Sequence, residues 1–215
     1  MEIKIIFFAT LCMAFTACNL NLNNIKAEEE TADTKEIIDA ATSNHLAFKG
    51  VPIDGTLKQF VARMKKAGFT HVGTEDGAAI LHGDFAGYKD CEVYVSTIDG
   101  IDVVSFIVVS FPNQDTWEYL YGDYKELKEL LIEKYGQPLS VKEEFQGYTY
   151  SSMTDNDKMH KVKMDECKYE TRFTTEKGEI VLWIEHESVR STFVCLQYKD
   201  KINSGTVKQQ AINDL

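Results

Sequence analysis

The chain has 215 residues and a formal net charge of −11 at pH 7, from 34 acidic and 23 basic residues. An acidic surface disfavours nucleic acid and anionic lipid headgroups as partners, because both would repel it. The length is enough for one medium-sized domain or two small ones.

The N-terminal segment has the layout of a bacterial lipoprotein export signal. An apolar run over residues 5–17 follows Lys4 and is shorter than the roughly 20 residues that span a bilayer. The run ends in small residues before Cys18, which resembles the lipobox of bacterial lipoproteins. Cleavage to a free secreted form is the alternative. It is disfavoured because bulky Phe15 would stand three residues before the cut after Ala17.

The sequence therefore predicts a signal peptide over residues 1–17 and lipid attachment at Cys18. We expect the mature protein to be held in the cell envelope by this lipid. Asn19, in place of an Asp, resembles the pattern that is sorted to the outer membrane. Which side of that membrane carries the protein is left open.

Residues 18–45 are predicted to form a tether and a short helix. Residues 19–33 are rich in Asn and then in Glu and have no apolar periodicity, which is typical of a flexible linker. Asp33 and Glu36 have the spacing of a capping box before an apolar pair. We expect the globular part to begin near Leu46.

Two amphipathic helices are predicted in the globular part. The first begins at Thr56, with Gln59 at capping-box spacing, and ends at Gly68. The second begins at Asp115 and ends at Gly136. Their apolar stripes are Leu57, Phe60, Val61 and Met64 in the first, and Trp117, Leu120, Tyr124, Leu127, Leu131 and Tyr135 in the second.

Each helix is followed by predicted strands with no further helix between them. The first set covers residues 69–74, 78–85, 90–98 and 101–111, and the second covers 139–145, 147–152, 163–175, 179–187 and 192–199. Consecutive strands without an intervening helix pair antiparallel. The predicted fold class is therefore α+β, with helix plus antiparallel meander units in two layers and the helices on one face of the sheet.

The two halves have a similar order of helix, strands and turns, and we predict a tandem repeat. The first repeat covers residues 46–112, the second covers 113–203, and residues 204–215 form a tail. In each half a cysteine, Cys91 or Cys167, begins a strand and a glycine-centred turn follows. Chance similarity between two antiparallel hairpins is the alternative.

The register of the last two hairpins predicts the surroundings of two cysteines. A tight turn at residues 176–177 places Cys167 opposite His186, and the next turn places Cys195 opposite Ile184. Both cysteines would face the helices, on strands roughly 9–10 Å apart, which is too far for a disulfide. With the remaining cysteine of the globular part, three buried thiols are expected, and one internal bridge is the alternative.

Side-chain alternation predicts which strand faces are covered. Strand 101–111 is apolar on both faces, which predicts a central strand covered on both sides. Alternation also places Trp183 beside Lys168, Glu170 and Arg172 on a face near solvent. A large indole among mixed charges can anchor a protein partner, so we predict a recognition surface there. A tryptophan capped by aliphatic lysine and arginine stems is the alternative.

Three tyrosines are further candidates for partner binding: Tyr121, Tyr148 and Tyr150. Exposed aromatic side chains stack on sugars or anchor protein partners. Trp117 and Tyr124, on the apolar helical stripe, are expected in the core instead.

The sequence carries no pattern typical of a catalytic, phosphate or metal site. Nucleophile-elbow, dinucleotide and Walker-type sequences are absent. Residues 155–157 begin like a calcium loop but lack its glycine and final glutamate, so residues 154–158 are expected to be a polar surface loop. Cys167 and His186 could form a nucleophile pair, but a buried thiol beside a histidine is the stronger interpretation. We predict no catalytic residue, metal or cofactor.

The helix exit over residues 133–138, Glu-Lys-Tyr-Gly-Gln-Pro, and the order of elements resemble the β-lactamase-inhibitor-protein-like fold. Small outer-membrane lipoproteins of the barrel-assembly machinery share that fold. The resemblance covers residues 46–200, and residues 198–203 are also similar to the closing segment of other envelope lipoproteins. It implies a sheet face that binds protein and no catalysis. An envelope hydrolase or thiol enzyme, and a glycan-binding lipoprotein, are the alternatives.

Overall fold

The structure is a computed structural model that describes residues 43–75, 77–98, 101–147, 153–188 and 191–206. The predicted signal peptide, Cys18, the tether, Tyr148 and Tyr150 lie outside these residues, as does nearly all of the predicted strand 147–152. All described residues belong to one compact unit. Within them, no helix has the length and apolar character that crossing a membrane requires.

The two predicted helices are confirmed as α1, Leu57–Lys66, and α2, Trp117–Tyr135. Thr56 and Gln59 form the predicted capping box, and Gly136 ends α2 with a φ of 81°. The predicted start of α2 at Asp115 is wrong by one residue. Thr116 is the N-cap, because its hydroxyl accepts a hydrogen bond from the Tyr119 amide.

The strands in chain order are β1 Ala47–Phe48, β2 Val51–Pro52, β3 Thr70–Glu75, β4 Ala78–Phe85, β5 Tyr88–Ile98, β6 Ile101–Ser110, β7 Ser140–Phe145, β8 Cys167–Thr174, β9 Gly178–Ser188 and β10 Ser191–Asp200. β1 and β2 form a small hairpin. The other eight form one antiparallel sheet in the order β3-β4-β5-β6-β10-β9-β8-β7. The α+β class with antiparallel meanders is confirmed.

Two four-stranded meanders meet in this sheet through their last strands, β6 and β10. A tandem repeat would produce this arrangement, and the repeat itself stays a prediction. One detail of the predicted repeat is wrong. Cys91 does not begin a strand but lies inside β5, which begins at Tyr88.

The helices pack on one face of the sheet, as predicted, and the β1–β2 hairpin, which was not predicted, packs on the same face. Trp117 of α2 packs edge-on against Tyr169 of β8, with ring centroids 5.1 Å apart. Phe48 of β1 packs against Tyr198 of β10 at 5.4 Å. Tyr124 is fully buried between α2 and the sheet, so its predicted core position and that of Trp117 are confirmed.

A third helix, α3, covers Asp155–Lys163, where a polar loop was expected, and it packs next to α2. Thr154 and Asp157 form a capping box at its N-terminus. Met159 and Val162 are its two buried residues, which is too few for a clear apolar periodicity in the sequence. The strand predicted from residue 163 therefore begins only at Cys167. Residues 201–206 are also helical.

The predicted register of Cys195 is wrong by one residue. An irregularity between Ser191 and Thr192 shifts the β9–β10 ladder, so Cys195 lies opposite Trp183 and not opposite Ile184. Because side chains alternate along a strand, this shift moves Cys195 to the sheet face that the helices leave free. Its side chain is nevertheless buried.

The strand pairing of Cys167 differs from that of Cys195. It lies opposite Phe145 of β7 and packs against the helix-covered core, as predicted. The β8–β9 ladder has the predicted register but ends at Glu170 and Trp183, so Cys167 has no ladder partner on β9. Cys167 and Cys195 thus lie on opposite faces of the sheet. Both are free thiols, as is Cys91.

Within the described residues, helices cover β6 on one side only, where the sequence led us to expect cover on both. Val104, Ile107 and Val109 are fully buried on the helix-covered face. Phe106 and Val108, on the other face, are only partly buried. The strand is central and apolar on both faces, but in the described residues helices cover only one of them.

Candidate functional site: the open face of the sheet

The sheet face away from the helices, called the open face below, carries several rows of side chains, two of which run from β4 to β7. One row is His82, Glu92, Ser110, Cys195, Trp183, Glu170 and Lys142, and the next is Ile80, Tyr94, Val108, Gln197, Val181, Arg172 and Ser140. Each member is the ladder partner of its neighbour. At the usual strand spacing each row is roughly 29 Å wide.

In these two rows the members from β6, β10 and β9 are uncharged, and the charged members lie further out, on β5, β8 and β7. The middle of the second row consists of Tyr94, Val108, Gln197 and Val181. The neighbouring members of the first row include the indole of Trp183. Outside these two rows the same face carries Lys199 on β10 and Glu179 and Glu185 on β9. Apolar and aromatic contact area next to charged groups is common in protein–protein interfaces.

On the β7–β8 side, Arg172 is held by two glutamates. Its Nε and Nη2 donate to Glu170 at 2.8 and 3.0 Å, and its Nη1 donates to Glu179 at 3.0 Å. These bonds from Arg172 lower the pKa of Glu170, and the same bonds raise the pKa of Arg172. The guanidinium is therefore fixed in place and charged, a bidentate geometry that Lys could not provide.

The structure places the four residues of the predicted recognition surface on this one face. Trp183 is partly buried, and its Nε1 donates to Glu185 at 2.8 Å, while Lys168 is exposed beside Glu170 and Arg172. Their role in binding a partner stays a prediction.

On the β4–β5 side, a second carboxylate is fixed by hydrogen bonds. Glu92 accepts from the Tyr94 hydroxyl and lies 3.0 Å from Nε2 of His82. Burial raises the pKa of Glu92, but the bonds from Tyr94 and His82 outweigh it, so this pKa lies below the usual value. Burial and Glu92 together raise the pKa of Tyr94, which stays a neutral donor.

The described part of the open face includes a larger and a smaller hollow. The larger, of about 630 Å³, is called the acidic hollow below, and its lining includes Asp90, Glu92, Tyr94, Glu185, Glu187 and Phe193. The smaller, of about 460 Å³, lies where β8 and β9 separate and is lined by Trp183, Glu170 and Arg172 among others. The volumes are large enough to take side chains of a partner.

Tyr121 does not share this surface. It stacks on Trp117 with ring centroids 5.5 Å apart and meets Tyr169 edge-on at 6.0 Å, both on the helix-covered side. Its four-residue spacing from Trp117 was the signal in the sequence that it belongs to the same helical stripe. The candidate tyrosines 148 and 150 lie outside the described residues.

Cys167 and His186 line the smaller hollow together with Asp165. Nε2 of His186 lies 2.8 Å from the Asp165 carboxylate, and in the described part of the chain its Nδ1 is buried without a partner. Burial raises the pKa of Cys167 to about 12, so the sulfur is held as a thiol and not as the reactive thiolate. No sulfur hydrogen bond joins Cys167 to His186 in the described structure.

Among the described residues, no cluster of three or more His, Cys, Asp or Glu side chains could hold a metal ion. The open face offers a partner apolar area, fixed carboxylates and a fixed guanidinium. Sequence reasoning missed Glu92, Tyr94 and Phe193 as parts of this surface. Alternation along β5 from the buried Val93 was the signal that could have placed Glu92 and Tyr94 there.

Comparisons of the chain with protein-family models, with curated proteins and with solved structures gave no match.

Proposed function

We propose that this protein is a lipid-anchored component of the cell envelope, a non-enzymatic binding or assembly module that holds a protein partner on its open face. The observation that carries the proposal is the open face itself, where partly exposed aromatic and apolar side chains of the central strands lie between carboxylates and a guanidinium that hydrogen bonds hold in place. Binding on such a face needs no chemistry beyond complementary contact.

Partly exposed aromatic side chains give the open face its anchoring points. Tyr94, Phe106, Phe193 and Trp183 are each neither fully buried nor fully exposed. Aromatic residues at the centre of an interface supply a large share of binding energy. The bond from Trp183 to Glu185 fixes the indole before a partner arrives, which reduces the entropy lost on binding.

The envelope location rests on the N-terminal sequence alone. A lipid on Cys18 would hold the domain near a membrane without a spanning helix. The proposed kinship with the β-lactamase-inhibitor-protein-like fold rests on the order of helices and meanders, and that fold implies protein binding on a sheet face.

Site-directed photocrosslinking in cells that produce the full-length protein tests the proposal. A photoreactive phenylalanine analogue replaces Phe193 on the open face, and in a matched control it replaces Tyr119, which is 64% exposed on α2. We expect discrete crosslinked protein products from position 193 and only background from position 119. Identical product patterns from the two positions would contradict binding on the open face.

A further inference from the structure

We infer that the partner on the open face is a protein that presents lysine or arginine side chains, with apolar neighbours, to the acidic hollow. This inference rests on the proposed function and adds the chemistry of the partner. Its evidence is the distribution of charge and aromatic surface within the open face.

The acidic hollow collects like charges in one place. Asp90, Glu92, Glu185 and Glu187 line it, and the described lining residues include neither Lys nor Arg. Between β9 and β10 the sequence has one cation, Arg190, and even with its charge counted the formal charge stays negative. Complementary charge on a partner speeds its association and excludes anionic competitors.

Two of the carboxylates are already positioned. Glu92 is held by Tyr94 and His82, as described above. Glu185 accepts from Trp183 Nε1 at 2.8 Å and from the His186 backbone amide at 3.0 Å. Carboxylates that are fixed before binding lose little side-chain entropy when a cation arrives.

The same hollow offers apolar and aromatic walls. Tyr94, Phe193 and Val108 line it together with the acidic residues. The aliphatic stem of a lysine or arginine can lie against such walls while its charged head reaches a carboxylate. An aromatic ring also attracts the cationic head directly.

Charge also argues against two other occupants. Residues 18–42, the chain's own N-terminal linker, contain six acidic and two basic residues, so the hollow would repel them. Nucleic acid would be repelled for the same reason. A cationic protein segment is the occupant that the charges favour.

Fluorescence anisotropy with two labelled nonapeptides tests the inference on the full chain. One peptide contains Lys and Phe residues separated by single Gly residues. The other peptide has the same sequence with Glu in place of every Lys. The test variant combines Asp90→Asn and Glu187→Gln, which remove two charges from the hollow. Asn suits position 90, where φ is 54°. The control variant combines Glu118→Gln and Glu133→Gln on α2 and has the same net charge.

We expect the lysine peptide to bind more tightly than the glutamate peptide. The test variant should weaken lysine-peptide binding by about tenfold, whereas the control variant should change it by less than about twofold. Both variants should keep the thermal unfolding midpoint of the parent protein, which shows that a loss of binding is not a loss of folding.

Equal binding of the two peptides, or an equal loss in both variants, would overturn the inference. The photocrosslinked partner provides an independent reading, since mapping its attached segment shows whether that segment is basic. A crosslinked segment of acidic character would overturn the inference while leaving the proposed function intact. Absence of any product specific to position 193 would instead contradict the proposed function.

Discussion

The hydroxyl groups of Tyr124 and Thr171 lie 2.6 Å apart across the interface between α2 and β8. Both side chains are completely buried. Burial raises the pKa of Tyr124 so that its hydroxyl stays neutral, while the bond to Thr171 acts in the opposite direction. This bond ties the longest helix described here to the sheet at a fixed register.

Tyr124→Phe should destabilise the protein by about 1–3 kcal/mol, because it leaves the buried hydroxyl of Thr171 without this partner. Urea unfolding followed by circular dichroism measures the change. Tyr119→Phe is the control, since Tyr119 is exposed, and it should be neutral. A double-mutant cycle with Thr171→Val should show coupling. Additive losses would mean that the pair contributes no bond.

Gly178→Ala should destabilise the protein by about 1–3 kcal/mol, because a Cβ there would lie 2.2 Å from the Lys199 carbonyl oxygen. Gly122→Ala is the matched control in α2, where an added Cβ meets nothing within 4 Å. Alanine there should stabilise the helix by about 0.5–1 kcal/mol. The two changes should move the thermal unfolding midpoint in opposite directions, and a shift of the same sign would contradict the packing described for β9 and β10.

All three cysteines of the domain should be recovered as thiols when the protein is denatured without reductant and alkylated. Burial raises the pKa of Cys91 to about 11, and those of Cys167 and Cys195 to about 12. At pH 8 the folded protein should therefore react far more slowly than the denatured protein, because the thiolate is the reactive form. Peptide mapping by mass spectrometry assigns each site. Recovery of only one modified cysteine would reveal a disulfide.

Cys18→Ala should release the protein from the membrane fraction, because it removes the predicted site of lipid attachment. The wild-type protein should partition into the detergent phase, and the variant should appear in the aqueous phase or remain unprocessed. Cys91→Ala is the control, since Cys91 is buried in the folded domain and should not affect partitioning. A wholly aqueous wild-type protein would contradict lipid attachment.

Local sequence patterns predicted α1, α2, most of the strands and the fold class. The capping box of Thr56 and Gln59, the helix end at Gly136 and the turn that pairs Thr175 with Gly178 depend on neighbouring residues only. The same holds for the alternation that puts Trp183, Lys168, Glu170 and Arg172 on one face. Such interactions are encoded within a few positions, so they can be inferred before the tertiary structure is known.

Tertiary structure decided which residues share a surface. A one-residue irregularity at the start of β10 moved Cys195 to the other face of the sheet, and packing made a helix of residues 155–163, where the apolar pattern is weak. Only the pairing of β6 with β10 brought Tyr94 and Glu92 into the same face as Phe193 and Glu185. The physical reason is that strand order and register depend on contacts between residues distant in the chain, and no local pattern records them.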